Sequence, residues 1–165
     1  MAKQKVAVLV GSDSDLDVIR HTESVFKTFQ VPYEIHIFSA HRTPQKTLDF
    51  AQKAKDRGFQ VIIAAAGMSA HLAGVVAAHT TLPVIGVPLE GKLEGLDALL
   101  STVQMPKGIP VATVALGKTG AHNAALLAIE ILALSNHALD VKLKNHRKKM
   151  TKEVLEKDKR LQKRK

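Results

Sequence analysis

The stretch Tyr33-Glu34-Ile35-His36-Ile37-Phe38-Ser39-Ala40-His41-Arg42-Thr43-Pro44 changes its period part-way along. Residues 33–38 form an alternating apolar run, the pattern of a strand. From Pro44 onward the spacing is helical. Thr43 takes the N-cap position and Pro44 the first helical residue, where a missing N–H is harmless. His41 and Arg42 therefore sit where a strand ends and a helix begins. In an open parallel α/β sheet, ligands bind at the carboxyl ends of the strands. A helix N-terminus there offers unpaired N–H groups to an anion. Arg42 adds a fork of donors suited to phosphate. His41 adds a group that exchanges a proton near neutral pH. Together they point to chemistry on a phosphorylated small molecule.

The same alternation of strand and helix runs outward in both directions. Lys5–Val10 reads as a buried strand, followed by the small, polar turn Gly11-Ser12-Asp13-Ser14-Asp15. A helix is expected over 15–29, ended by Pro32. The helix after Thr43 should run over 44–57, with Gly58 as its C-cap. Strands follow at 61–66, 83–87 and 110–116, and helices at about 71–78, 96–103 and 120–134. Five apolar strands alternating with helices predict a three-layer αβα fold. The expected sheet is flavodoxin-like, parallel and five-stranded, in the order 2-1-3-4-5. Its switch point lies between strands one and three. The loops beginning at Gly11 and Gly67, with the Ser39 loop beside them, then converge on one crevice.

Charge divides the chain. The net charge is +9, but residues 136–165 hold 12 Lys+Arg against 4 Asp+Glu. Residues 1–135 hold 12 against 11 and are nearly neutral. The reading is a catalytic domain over 1–135 and a basic helical C-terminal extension over 136–165. A nucleic-acid-binding body is poorly supported, and the tail has no aromatic residue on which a base could stack. With no cysteine, disulfides and thiolate metal sites are excluded. No apolar run is long enough to span a membrane, and Met1–Gln4 lead into the first strand without a signal-peptide pattern, so the expected location is the cytoplasm.

The helix at 120–134 is apolar nearly all round, with only His122, Asn123 and Glu130 clearly polar. Such a helix is buried nearly all round, which predicts a subunit interface. The tail carries Leu139, Leu143, Met150, Val154 and Leu161 in one narrow stripe, suited to lying across a neighbouring subunit.

Each candidate residue has a plainer reading beside the functional one. Gly11–Asp15 could be an ordinary capped turn, or Ser12 and Ser14 could meet a phosphate while Asp15 accepts from ribose hydroxyls. It is neither a dinucleotide fingerprint nor a P-loop. His41 and Arg42 could form a solvated corner, but their place at a strand's carboxyl end favours catalysis. His71 could be a helix-cap contact or a substrate contact. Met68 and Met105 read as packing residues. The other histidines show no ligand spacing, and no metal is expected.

Five ordered motifs then become recognisable. They are Gly11–Asp15, Ser39–Pro44, Ala66-Gly67-Met68-Ser69-Ala70-His71-Leu72, Pro83–Pro88, and the run from Gly95 to Gln104-Met105-Pro106. Together they resemble the N5-carboxyaminoimidazole ribonucleotide mutase family of purine biosynthesis, over roughly residues 5–134. The resemblance implies transfer of a carboxylate from N5 to C4 of the aminoimidazole ring, by decarboxylation and recarboxylation, without metal or cofactor. It implies His41 as proton shuttle. Ser12, Ser14, Asp15, Ser39, Arg42, Gly67 and His71 would bind the ribonucleotide, in a homo-oligomer that is typically an octamer. The chemistry agrees: decarboxylation at N5 needs a proton delivered, recarboxylation at C4 needs one removed, and one neutral-pKa group can do both. The pocket must also hold carbon dioxide away from water. Small residues such as Ala40, Gly67 and Ala70 would let backbone approach closely.

The alternative is the related aminoimidazole ribonucleotide carboxylase, which takes free carbon dioxide. Its members tend to carry Ser-Asn where this chain has Ala70-His71. A non-catalytic nucleotide-binding module would not need His41. A tail-mediated nucleic-acid binder would show salt-sensitive binding lost with the tail.

Overall fold

The computed structural model describes residues 5–91 and 93–163, so the reading of Met1–Gln4 lies outside the described residues. The chain divides into two compact units, Met1–Ile129 and Glu130–Lys165.

The first unit holds five parallel strands: β1 (Lys5–Val10), β2 (Tyr33–Ile37), β3 (Phe59–Ala66), β4 (Val84–Pro88) and β5 (Ala112–Thr113). Their order is β2-β1-β3-β4-β5, as the alternation predicts. The register aligns Val10 with Ile37 and with Ala65, and Ala66 with Pro88, so four strands finish at one edge. Helices α1 (Leu16–Phe29), α2 (Pro44–Lys53), α3 (Leu72–Ala77), α4 (Leu96–Val103) and most of α5 (Gly117–Ala133) flank the sheet.

Alternation along the strands sorts side chains to two buried faces. Ala7, Leu9, Ile62 and Ala64 join Phe50 and Ala51 of α2 and Leu72, Ala73 and Val76 of α3 in one core. Gly86 faces the same side. A Cβ there would fall on Thr102 of α4 and lie 2.9 Å from Val111, so the missing side chain is what lets α4 seat on β4. On the opposite face, α5 begins against Val87, within 3.4 Å of where a Gly120 Cβ would stand. Thr22 of α1 donates its hydroxyl to the Ala121 carbonyl at 2.8 Å and ties α1 to α5.

Several boundaries move from the sequence expectation. A single 3-10 turn, Asp13–Asp15, precedes α1. That helix ends at Phe29 as expected, but what ends it is Gln30, which turns left-handed at φ 59° and returns its N–H to Lys27, rather than Pro32. Helix α2 ends at Lys53, and residues 54–58 tighten into turns, with the Gly58 amide donating to Lys55 O at φ 84°. Strand β5 shrinks to two residues because it is an edge strand with only two partners, Ile85 and Gly86. Gly117, at φ 60°, starts α5 three residues earlier than expected.

In α5, Ala121, Ala124, Ala125, Ala128 and Ile129 are fully buried, and Leu126 and Leu127 are half-buried. The chain covers far more of this helix than its composition suggested. The large exposed apolar stripe lies on α4 instead: Leu96, Leu100 and Val103, with Leu93 in the preceding turn, are 44–65% exposed. In the second unit, α6 (His137–Gln162) is capped by the Asn136 side chain, which accepts from the Leu139 amide. Leu139 and Leu143 are buried, while Met150, Val154 and Leu161 are exposed. Among the described residues no helix is long and apolar enough to cross a membrane.

Candidate active site

The edge where the strands finish carries the predicted loops. After β1 the chain is pinned by its neighbour: the Gly11 amide donates to Ala65 O at 3.3 Å. Ser12 then turns into the 3-10 segment, and its amide donates to Asp15 Oδ2 at 3.0 Å. The Ser12 hydroxyl and the Ser14 amide both donate to Asp13 Oδ1. These bonds, the Ser12 hydroxyl first, hold the Asp13 carboxyl below its usual range. Asp15 goes the other way. Burial raises its pKa, and its bonds from Ser12 and Ser14 only partly offset this.

The loop after β2 is built on Ser39. Its amide donates to Thr43 Oγ1 at 2.9 Å, and the Thr43 hydroxyl donates back to Ser39 O at 3.2 Å. Thr43 does stand at the N-cap of α2 with Pro44 behind it, but its side chain makes no cap bond. The hydroxyl closes the loop on itself instead. The Ser39 hydroxyl accepts from the Arg42 amide at 3.1 Å. This leaves the His41 and Arg42 side chains exposed at the carboxyl edge of the sheet.

Arg42 crosses to the first loop and donates from Nη2 to Gly11 O at 2.8 Å. One arm of the fork is thereby committed to backbone and fixes the group's direction, leaving the other donors for a ligand. His41 crosses to the third loop. Its Nε2 lies 2.7 Å from His71 Nδ1, with the rings nearly perpendicular and their centroids 4.9 Å apart. His71 occupies the N-cap of α3 but makes no cap bond, so of its two sequence readings the cap contact is not formed.

Residues 5–153 match the family described as AIR carboxylase. The chain belongs to the AIR carboxylase family. It is similar to the N5-carboxyaminoimidazole ribonucleotide mutase of Pyrococcus horikoshii, with 53% identity over 161 residues, covering 97% of this chain and 90% of that protein. It is similar also to the Escherichia coli K12 protein of the same name, at 50% over 153 residues, covering 92% of this chain and 90% of that one. The crystal structure of Treponema denticola PurE superposes with a TM-score of 0.86 at 30% identity, over 96% of this chain and 98% of that one.

Within this AIR carboxylase fold, the third loop departs from its sequence reading at two points. Met68 is not a packing residue: it is 63% exposed and adopts φ 56°, a left-handed conformation that non-glycine residues seldom take. Gly67 has no such φ, and a Cβ there would meet Glu90 O and Leu89 O at an ordinary 3.7 Å. The conformational demand of this loop falls on the residue after the glycine. Met105 does pack, its sulfur 3.2 Å from where a Gly74 Cβ would stand. The Ser39 amide and the Gly11 carbonyl are backbone groups that every residue type carries, so the sequence gives no signal for them. His36 stacks on Phe38 and lies 3.3 Å from Glu34, and His79 bonds Val75 O; both serve the scaffold. Among the described residues, no cluster of three or more His, Asp or Glu could hold a metal ion.

Proposed function

We propose that this chain converts N5-carboxyaminoimidazole ribonucleotide to 4-carboxy-5-aminoimidazole ribonucleotide in purine biosynthesis, with His41 carrying the proton. One observation carries this reading. An exposed histidine and a half-committed arginine from the β2 loop meet the β1 and β3 loops at the switch point, in a chain about half identical to named mutases.

Arg42 holds the phosphate with the donors that Gly11 O leaves free. Ser12, Ser14, Ser39 and Gly67 supply further polar groups around it, Asp15 accepts from the ribose, and His71 lines the same pocket. His41 delivers a proton to N5 as the carbamate C–N bond breaks and carbon dioxide leaves. The ring carbon C4 then attacks the trapped carbon dioxide, and His41 takes up the C4 proton. The proton lent in the first half returns in the second, so no external acid or base is consumed.

We assign catalysis to a domain over 1–135, with 136–165 as an extension, in a homo-octamer in the cytoplasm. The exposed α4 stripe supports association with further copies.

The deciding experiment supplies the N5-carboxylated ribonucleotide labelled with carbon-13 in its carboxylate, without ATP, in unlabelled bicarbonate. The mutase reading expects the label to be retained in the C4 product. Product formed only from aminoimidazole ribonucleotide plus bicarbonate would make the chain a carboxylase. No conversion either way would refute both.

A further inference from the structure

We propose that His71 is the proton partner of His41, a positioning residue that acts through it. This rests on the reading of His41 as proton carrier and deepens it. The observation is the 2.7 Å contact between His41 Nε2 and His71 Nδ1. Two ring nitrogens at that separation share one proton: with none they repel through their lone pairs, and with two their N–H groups collide. His41 Nδ1 makes no hydrogen bond to the described chain and is left for the substrate.

Counting protons shows what the pair does. With one positive charge it carries three ring protons: one between the rings, one on His41 Nδ1 and one on His71 Nε2. His41 Nδ1 is then a donor. When it gives that proton to N5, the bridging proton settles on His41 Nε2. The pair becomes neutral, with His41 Nδ1 bare and facing the ring as an acceptor. When C4 forms its new carbon–carbon bond, the C4 proton goes to that nitrogen and the single charge returns. His71 thus removes the ambiguity of an isolated imidazole, whose remaining proton can sit on either nitrogen. A second positive charge would place two protons in the 2.7 Å gap and open the pair, so a second proton binds reluctantly. Among the described residues, charged groups of the loops at this edge include Asp13 and Asp15 after β1, Arg42 beside His41, and Glu90 after β4. Arg42 also opposes a second charge.

The test uses the full-length chain labelled with nitrogen-15, with ring signals followed from pH 5 to pH 9 in the wild type, His71→Ala and His71→Asn. In the wild type, the ring signals of both histidines should change together, as two rings sharing one proton require. In His71→Ala and His71→Asn, the His41 ring signals should lose the mark of a shared proton. In turnover, His71→Ala should lower kcat roughly ten- to hundredfold, a larger change than in KM. His71→Asn, whose side-chain carbonyl can still accept from His41 Nε2, should restore part of kcat but not the wild-type pH profile. Identical His41 titrations in wild type and both variants would overturn the proposal, as would a loss confined to KM. If His71→Ala does not fold, His71→Asn decides by the same two readouts. Full turnover in His41→Asn would instead sink the proton-carrier reading, while the titration still reports whether the rings are coupled.

Discussion

Replacing Arg42 tests whether one side chain both ties two loops together and holds the ligand's phosphate. Its Nη2 is committed to Gly11 O at 2.8 Å, so the guanidinium is already oriented when a phosphate arrives. A hydrogen bond to a charged group contributes about 1.5–3 kcal/mol. Two bonds to a phosphate give a ceiling of roughly 3–6 kcal/mol, reduced because water replaces part of the loss in an exposed site. We expect Arg42→Ala to weaken ribonucleotide binding by about 3 kcal/mol, a Kd raised roughly a hundredfold. Losing the tie to Gly11 removes one exposed bond worth about 1 kcal/mol, a melting shift of only a few degrees. Arg42→Lys keeps the charge, but its single ammonium cannot serve Gly11 O and a phosphate fork together. Its Kd should fall between those of the wild type and Arg42→Ala. Calorimetry on the three proteins, with thermal melts as a control, decides the matter. Unchanged affinity in Arg42→Ala would place the phosphate elsewhere. A collapse in melting temperature would mean that the arginine is chiefly a loop brace.

Four further outcomes are expected. His41→Asn should abolish turnover while leaving substrate affinity within a few-fold of wild type, read by calorimetry beside a label-transfer assay. Gly86→Ala should destabilise by about 1–3 kcal/mol or more, because the new methyl falls on Thr102 and crowds Val111; the melting temperature would drop by roughly 2–12 °C. Burial raises the Asp15 pKa, so between the ordinary carboxyl value and the raised one the folded state binds more protons than the unfolded state. Stability contributed by this group therefore falls as pH rises through that window, and Asp15→Asn, whose side-chain oxygen can still accept from Ser12, should flatten that part of the melting-versus-pH curve; an unchanged slope would refute it. Removing residues 137–165 should loosen the oligomer or lower its melting temperature by light scattering and calorimetry, and should abolish most retention on a cation exchanger; an unaltered particle would make the tail a solvated appendage.

What could be read from sequence alone was whatever depends on local pattern. Lys5–Val10 and the run through Ala66 are too continuously apolar to be anything but strands buried on both faces. Their spacing by helices leaves a parallel sheet as the economical packing, and the crossover rules then set the order. The site loops followed, because in such a sheet loops at the carboxyl edge converge whatever their composition. His41 and Arg42 stood out because their chemistry is unusual for a turn. Tertiary structure decided everything that depends on atoms distant along the chain. Arg42 meets Gly11, 31 residues away, through a carbonyl that every residue type possesses. His41 meets His71, 30 residues away, and no local pattern says which nitrogen faces which. The left-handed backbone went to Met68 rather than Gly67, because the position of a turn's strained residue depends on where its two ends are anchored. The exposed apolar stripe lay on α4 and not α5 for a similar reason. Burial is a property of neighbours, and an alanine-rich helix such as α5 can be covered closely by its own sheet, whereas the leucines of α4 project beyond it.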